Sequence, residues 1–440
     1  MLYSFVKRSQ LYFLLSFLVL IAAGTLLFKI PGVYSKGVLS WIDSLYMATS
    51  SVCVTGLAVV KVSDFSFWGQ LIMLLLVQIG GLGIVTISAW LVLAMGKHFS
   101  FDEELMMSTL NDDFPARNAE TLIKLVIYYT LICEAIGAAV IFAGYLLQGI
   151  EWSFAGFFKT VWHSIFISIA SYCNAGFSPY NDSVISLHWL SKFGSSIMIL
   201  TGSLGVYIIY DVMQRISRKR FFMRAFTKLV LWATGVLLAI ATILLFVLQN
   251  YVNHPIHLFD AYYMAVSGCS AGFNSVEMTN LSEVSLALIM FLMLVGGAPG
   301  STAGGLKIST VAIAAAAIWN TIVGNRQIIV FKRSVPMDNV MKAFAVIALF
   351  GILVVLGSIA VKLTGNGQEL GVLLFESVSA ICTVGLSIGD TSANMGTEGK
   401  IVIAVLMYIG RIGPLTLLLF LLAREKPGKV EYPEERIIIG

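Results

Sequence analysis

Long apolar segments alternate with short polar ones along the whole chain. Eight of them are long enough to cross a bilayer as helices, which takes about 20 residues each. They lie near residues 11–30, 67–95, 122–148, 189–213, 228–249, 283–322, 340–361 and 400–422. An even number of spans places both termini on the same side of the membrane.

A shorter apolar segment lies between the two members of each pair of spans. The four segments cover residues 41–51, 158–172, 257–268 and 370–380. A helix of about 15 residues is only about 22 Å long, whereas the hydrocarbon core is about 30 Å thick. We therefore predict an all-α integral membrane protein in which these helices enter the membrane without crossing it.

The composition supports a membrane protein and argues against a soluble domain. Hydrophobic residues make up 58% of the 440 residues and charged residues only 12%, against about 25% charged in soluble proteins. The apolar run that follows Lys7 and Arg8 is longer than the roughly 7–15 residues of a signal-peptide core. We therefore assign it to a first transmembrane helix.

Charge is distributed unevenly between the two predicted sides. The termini and the linkers between pairs of spans hold most of the 28 lysine and arginine residues, and the opposite loops are net acidic. Positive residues favour the cytoplasmic side. We predict a plasma-membrane protein with both termini in the cytoplasm.

One motif ends all four short segments: cysteine, two residues, glycine, then leucine or phenylalanine. Its copies are Cys53–Leu57, Cys173–Phe177, Cys269–Phe273 and Cys382–Leu386. A second, glycine-rich motif follows each glycine after 24 to 26 residues, beginning at Gly80, Gly202, Gly296 and Gly410. Close helix packing would account for any one of these helix glycines, but not for their shared register.

Two motifs in one register predict four homologous repeats, covering residues 1–96, 97–213, 214–322 and 323–440. Four equivalent units around an axis enclose a pore, and irregular backbone at membrane depth occurs where it lines such a cavity. Backbone carbonyls there replace the hydration shell of a monovalent cation. The predicted ion-binding filter consists of Val54, Thr55, Gly56, Asn174, Ala175, Gly176, Ser270, Ala271, Gly272, Thr383, Val384 and Gly385.

These motifs resemble the Trk/Ktr/HKT family of potassium transporters, and most closely the membrane subunit of Ktr systems. The resemblance rests on the four filter segments and on Gly410–Thr416, and it covers nearly the whole chain. It implies potassium uptake, because sodium-preferring plant members carry serine where this chain has Gly56. The four cysteines depart from the family pattern, and we expect them to be buried packing residues rather than a metal or redox site.

The resemblance also implies partners: a second copy of the chain, a cytoplasmic ring of nucleotide-binding RCK-type regulatory subunits, and membrane lipid, but no nucleic acid. Candidate docking surfaces are the basic linkers 215–228 and 326–333, which could instead set topology and contact anionic lipid. Ile437–Ile439 are expected at the dimer contact, with packing against their own subunit as the alternative. The chain is expected to hold no cofactor and no metal beyond the transported K⁺, with Na⁺ as a second candidate ion.

The resemblance implies an intramembrane gate in the third repeat, whose second span is interrupted from Gly296 to Lys307. Proline and repeated glycine cannot continue a helix there. Arg411 is expected to contact this loop at Ser301 or Thr302, because an arginine at membrane depth must face a wet interior. The alternative is a structural bridge to another helix. The predicted gate residues are Gly296, Gly297, Gly300, Ser301, Thr302, Gly304, Gly305 and Arg411.

Two alternatives to a channel-like uptake pore remain at this stage. A sodium- or proton-coupled potassium symporter would use the same fold. A membrane enzyme would need catalytic side chains gathered on one side of the membrane, and the five histidines are scattered. Asp43, Asp260 and Glu376 lie in the short helices, where we expect them to cap helix starts.

Overall fold

The computed structural model describes a helical protein over most of the chain. The described residues are 2–83, 119–149, 153–217, 222–252, 254–325, 327–365 and 367–413. Several predicted features lie outside them: the repeat boundary at 96/97, the linker residues 218–221 and 326, the end of the motif at 414–416, and the tail 437–440.

Each predicted repeat begins with a long helix. These long helices are α1 (Leu2–Phe28), α4 (Ala119–Gln148), α8 (Ala225–Tyr251) and α12 (Met337–Leu363). Among the described residues, α8, α12 and residues 124–148 of α4 are each long and apolar enough to cross a membrane alone. Many of their large apolar side chains are exposed, as expected for helices that face lipid.

A candidate pore helix follows each long helix. These helices are α2 (Trp41–Val52), α5 (Phe154–Cys173), α9 (Leu258–Ser270) and α13 (Leu370–Ile381). Ser40 and Ser153 cap α2 and α5 by accepting backbone N–H bonds. α5 begins four residues before the predicted segment. The four helices form the centre of the protein, and Tyr46, Phe166, Tyr263 and Phe375 on them are fully buried.

The third element of each set is an inner helix that is too short to span a membrane. The inner helices are α3 (Phe67–Leu82), α6 (Trp189–Ser203), α10 (Glu283–Leu294) and α14 (Thr397–Ile412). α3 and α14 end at Gly83 and Gly413, whose φ angles are 85° and 92°. Glycine adopts this left-handed backbone without strain, whereas a right-handed helix cannot continue through it.

The prediction of one continuous span over 189–213 is wrong. The helix breaks after Ser203, and α7 (Val206–Ile216) leaves at a bend of 96°. Gly205 provides a φ of 77° at the break, and the backbone N–H of Ala298 donates to the Ser203 carbonyl at 2.9 Å. A loop of the third repeat therefore takes the bond that helix continuation would use. α7 also extends beyond 213, the predicted end of the second repeat.

The predicted interruption of the third inner helix is present. α10 ends at Leu294 and α11 (Ile308–Ile322) resumes the helical path, with a parallel bridge between Val295 and Leu306 closing the loop between them. The following linker forms an antiparallel hairpin of β1 (Ile329–Val330) and β2 (Arg333–Ser334). Short 3₁₀ turns cover Val62–Asp64 and Met278–Asn280.

Candidate functional site

The four motif glycines form a closed ring of close approaches between repeats. Their φ angles are 91° at Gly56, 68° at Gly176, 77° at Gly272 and 96° at Gly385. A Cβ atom built on each glycine would meet a carbonyl oxygen of the next repeat. The pairs are Gly56 with Ala175, Gly176 with Ala271, Gly272 with Val384, and Gly385 with Thr55. Each repeat thus abuts the next, and the fourth abuts the first, so the four segments surround one axis.

The backbone of each segment folds back on its candidate pore helix. The N–H groups of Thr55, Ala175 and Val384 donate to helix carbonyls at 2.8, 2.8 and 2.9 Å. Because N–H and C=O point in opposite directions in a trans peptide, the carbonyls of the preceding residues are directed away from the helix. Those residues, Val54, Asn174 and Thr383, have positive φ angles between 48° and 59°.

The third segment differs slightly from the other three. Ser270 still belongs to α9, and Ala271 caps the helix with a φ of −111°. Its N–H and that of Gly272 both donate to the Ser267 carbonyl, at 2.8 and 3.1 Å. The segment therefore leaves its helix one residue later than in the second repeat and two residues later than in the first and fourth, although Gly272 keeps its place in the ring.

Serine side chains hold two of the ring glycines from behind. The Ser50 Oγ accepts the N–H of Gly56 at 3.1 Å, and the Ser379 Oγ accepts the N–H of Gly385 at 3.0 Å. Both serines are fully buried in candidate pore helices. Buried polar atoms are costly unless hydrogen-bonded, so these bonds fix the glycine backbone relative to its helix.

The second glycine motif explains how closely the inner helices pack. A Cβ on Gly80, Gly202 or Gly410 would meet the last helical carbonyls of the neighbouring candidate pore helix, at Val52, Tyr172 and Ile381 respectively. The third repeat departs here, because Gly296 faces the Gly304 carbonyl of its own loop. The shared register therefore reflects one packing geometry in the first, second and fourth repeats and a loop contact in the third.

The loop of the third repeat lies against the ring segments of two other repeats. The Asn174 amide donates to Thr302 Oγ1 at 2.7 Å, and the Thr302 hydroxyl donates to the Tyr172 carbonyl at 3.0 Å. On the other side, a Cβ on Gly304 would meet Thr383 Oγ1. The loop thus crosses from the second repeat to the fourth, next to the segments that carry Asn174 and Thr383.

Arg411 connects this loop to the first repeat. Its Nη1 donates to the Thr302 carbonyl at 2.6 Å, and its Nη2 donates to the Gly80 carbonyl at 2.6 Å and to that of Gly81 at 3.3 Å. The predicted contact with Thr302 is present at the backbone. The predicted alternative partner, Ser301, instead donates its hydroxyl to the Ala298 carbonyl at 2.6 Å.

The motif cysteines lie behind the ring and make no disulfide. Cys53, Cys173 and Cys382 are buried, and Cys269 is partly buried. The Cys173 thiol lies 3.4 Å from Oε1 of Gln78, and the side-chain nitrogen of Gln78 donates to Glu134 at 2.9 Å. Within the described residues, no three His, Cys, Asp or Glu side chains come together as a metal centre requires. The cysteine positions agree with a packing role.

The acidic residues of the candidate pore helices behave differently from one another. Asp43 lies in the first turn of α2, where Ser40 is the cap, and it pairs with Lys400 at 2.7 Å. Partial burial would raise the pKa of Asp43, but the hydrogen bonds from Lys400 and Ser40 hold that pKa below its usual value. The expectation that Glu376 caps a helix start is wrong, because it is fully buried within α13 and accepts bonds from Ser387 and Ser392.

Three features of the site were missed in the sequence. They are the Asn174–Thr302 bond, the Gly80 and Gly81 carbonyls as Arg411 acceptors, and the break at Gly205. A signal for the break was present, since the second motif carries a further glycine three residues on at 83, 205 and 413. The other two features depend on contacts between distant repeats, which no local pattern encodes.

Comparison with known proteins matches residues 16–428 to the TrkH family of cation transport proteins. The chain is 33% identical over 438 residues to Ktr system potassium uptake protein B of Vibrio alginolyticus, covering 97% of this chain and 94% of that protein. It is 32% identical over 437 residues to the protein of the same name from Bacillus subtilis, covering 97% and 95%.

A solved structure with the same fold is the crystal structure of the potassium transporter TrkH from Vibrio parahaemolyticus. It matches with a TM-score of 0.72 over 95% of this chain and 85% of that one, at 18% sequence identity. At this identity the match establishes the fold alone. The sequence relatives are named as transport proteins rather than enzymes.

Proposed function

The chain belongs to the TrkH family of cation transport proteins, and from that premise we propose that it carries potassium ions into the cell through a channel-like pore. The observation that carries this proposal is the closed ring in which each motif glycine abuts a carbonyl of the next repeat. Four such segments supply neutral oxygens around one axis, and such oxygens replace the water around a dehydrating K⁺.

Two further observations support the ring as the ion filter. The helices α2, α9 and α13 end at it, and helix C-termini carry partial negative charge that favours a cation. Among the described side chains, the hydroxyls of Thr55 and Thr383 are buried at the ring without a hydrogen-bond partner. Their oxygens are therefore available to an ion.

The loop from Gly296 to Gly305, together with Arg411, acts in this proposal as the gate. The loop lies beside the ring and is held by individual hydrogen bonds to neighbouring segments rather than by helical structure of its own. Small residues can change backbone angles with little steric cost. A positive guanidinium close to the ion path also opposes the passage of a cation.

Membrane placement and partners complete the proposal. The protein lies in the plasma membrane as four tandem repeats with both termini in the cytoplasm, supported by the basic linkers. It forms a homodimer and binds a cytoplasmic RCK-type regulatory ring. The relatives' name, protein B of a Ktr system, supports a further component.

The test is ion uptake by purified protein in liposomes, with radioactive potassium and sodium as tracers. A channel-like pore takes up potassium down its own gradient without any sodium or proton gradient. Uptake that requires one of those gradients would replace the channel by the symporter on the same fold. Absence of potassium uptake under every gradient, from well-folded protein, would contradict both.

Docking of the regulatory ring is expected to depend on the basic hairpin after α11. Phe331 and Lys332 form its turn with positive φ angles of 46° and 62°, and Lys332 and Arg333 are exposed. We expect Lys332→Glu with Arg333→Glu to weaken capture of the cytosolic subunit by roughly tenfold or more, because the two substitutions reverse the positive charge on which the proposed docking depends.

Lys36→Glu is the matched control, since Lys36 is an exposed lysine predicted on the opposite side of the membrane. It should leave capture unchanged. If the hairpin double variant also binds the subunit normally, the hairpin sets topology or meets lipid instead of docking the ring.

A further inference from the structure

Three of the four inner helices carry a polar side chain that contacts a neighbouring repeat. The position is the fourth residue of each helix, and it is occupied by Gln70, Lys192, Leu286 and Lys400. In three of the four repeats the residue is polar or charged.

Each polar residue at this position contacts the candidate pore helix of the following repeat. Gln70 Oε1 accepts from the Trp162 indole N–H at 2.7 Å, Lys192 Nζ lies 3.3 Å from Asp260, and Lys400 Nζ lies 2.7 Å from Asp43. The last contact joins the fourth repeat to the first, across 357 positions of sequence. An inner helix therefore contacts the next candidate pore helix at three boundaries, at the third helical residue for the two ion pairs and at the ninth for Trp162.

These contacts are more sheltered than an ordinary surface ion pair. The side chains of Lys400 and Asp43 are 15% and 23% exposed, and those of Lys192 and Asp260 are 10% and 17% exposed. By comparison, Lys36 in the Lys36–Asp64 pair is 64% exposed. Water screens a sheltered pair less, and removal of one partner leaves a charge that is poorly solvated.

The two ion pairs lie at the start of candidate pore helices whose opposite ends lead into the proposed filter. Asp43 and Asp260 lie in the first turns of α2 and α9, helices of 12 and 13 residues that lead into the ring segments. A helix of that length is about 18 Å long and nearly rigid. Fixing its first turn therefore fixes the direction in which its last carbonyls and the following segment point.

We infer that Gln70, Lys192 and Lys400 are positioning residues that hold the pore helix of the next repeat and so set the geometry of the ion filter. The inference rests on the proposed function of the ring. These three side chains, called braces below, affect the filter only through the position of the pore helices, since none of them touches the ring glycines.

The boundary between the third and fourth repeats has no such brace. Leu286 occupies the inner-helix position there, and Val372 is the third residue of α13, where α2 and α9 carry Asp43 and Asp260. Both side chains are apolar and make no ion pair. The unbraced boundary belongs to the repeat that contains the loop Gly296–Gly305, so in this inference side-chain contacts position the filter at three boundaries but not at the one beside the loop.

The test measures the potassium-to-sodium permeability ratio in liposomes. Lys400→Met is expected to lower this ratio roughly tenfold, and the charge swap Lys400→Asp with Asp43→Lys to recover most of the loss. Lys36→Met is the matched control, because it breaks an ion pair that does not reach a pore helix. It should leave the ratio within about twofold of the original.

A second variant covers the case in which Lys400→Met does not fold. Gln70→Leu removes the neutral brace to Trp162 and leaves no charge unpaired, and it should lower the ratio by roughly threefold. Folding is checked by gel filtration and thermal unfolding. An unchanged ratio in folded Lys400→Met or Gln70→Leu, failure of the swap to recover selectivity, or an equal loss in Lys36→Met would each overturn the brace.

Failure of the brace differs from failure of the proposed function. If the unaltered protein takes up potassium and Gly56→Ser lowers its selectivity, the filter stands and an inert Lys400→Met rejects the brace alone. If the unaltered protein takes up no potassium, the proposed function fails first and the brace fails with it.

Discussion

Arg411→Ala is expected to raise potassium flux by about tenfold or more. The arginine joins the Thr302 carbonyl of the loop to the Gly80 carbonyl of the first repeat, with both bonds at 2.6 Å. Hydrogen bonds from a charged group contribute about 1.5–3 kcal/mol each, and about 1.4 kcal/mol is a tenfold change in an equilibrium. Without the arginine, the loop loses its tie across the pore and the closed arrangement becomes less populated.

Arg411→Lys separates the two effects of the arginine. Lysine keeps the positive charge but cannot bond the two carbonyls in the same planar geometry. We expect flux between those of the original protein and Arg411→Ala if the hydrogen bonds hold the loop. Flux equal to the original would assign the barrier to charge alone.

Deletion of residues 298–304 should also raise flux, because it removes the loop beside the ring. Liposome uptake of radioactive potassium, normalised to the amount of folded protein, measures all three variants. Lower flux from Arg411→Ala at normal expression would mean that the arginine is required for conduction and would reject the gate.

Gly56→Ser is expected to lower the potassium-to-sodium selectivity by about tenfold while the protein still folds. At a φ of 91°, any side chain strains the backbone by roughly 1–2 kcal/mol. Its Cβ would also meet the Ala175 carbonyl oxygen and lie 3.1 Å from Gly176 Cα. The first and second repeats must move apart to relieve these two contacts. The carbonyl ring then no longer fits K⁺.

Gly32→Ser is a close control for the backbone strain. Gly32 has a φ of 86°, but a Cβ there meets nothing within 4 Å. We expect a similar loss of stability and no change in selectivity. Tracer fluxes of potassium and sodium measured on the same liposomes give the ratio for each variant.

The other ring glycines give a graded series. At Gly176 the nearest atom to a built Cβ is the Ala271 carbonyl oxygen at 2.8 Å, the widest of the four approaches. We therefore expect Gly176→Ser to reduce selectivity least. Unchanged selectivity in folded Gly56→Ser, or an equal loss in Gly32→Ser, would count against the ring as the filter.

Much of the fold and of the candidate site could be predicted from the sequence because the signals are local. The length of an apolar run predicts a span, as α8 and α12 illustrate, and the interruption after Leu294 follows from the proline and glycines within it. Glu376 illustrates the limit of such signals. Its place in a short apolar helix suggested a cap, whereas two serines beyond the ring segment satisfy it within the core.

The break between α6 and α7 illustrates a second limit. The hydropathy of residues 189–213 is that of one span, but the third repeat supplies hydrogen bonds at Ser203 and Val206 that divide it. Gly205 permits that bend without requiring it. The helix therefore ends there only because a partner lies beside it.

Local sequence patterns were enough to predict the apolar segments, the places where glycine is needed and the family to which the chain belongs. These depend on composition, spacing and motif, which are properties of neighbouring residues. The packing of the folded chain sets which carbonyl each ring glycine meets, what Arg411 bonds and which helix each inner-helix side chain contacts. Those contacts join residues up to 357 positions apart, and a buried polar group takes whichever partner the packing of the repeats places within reach.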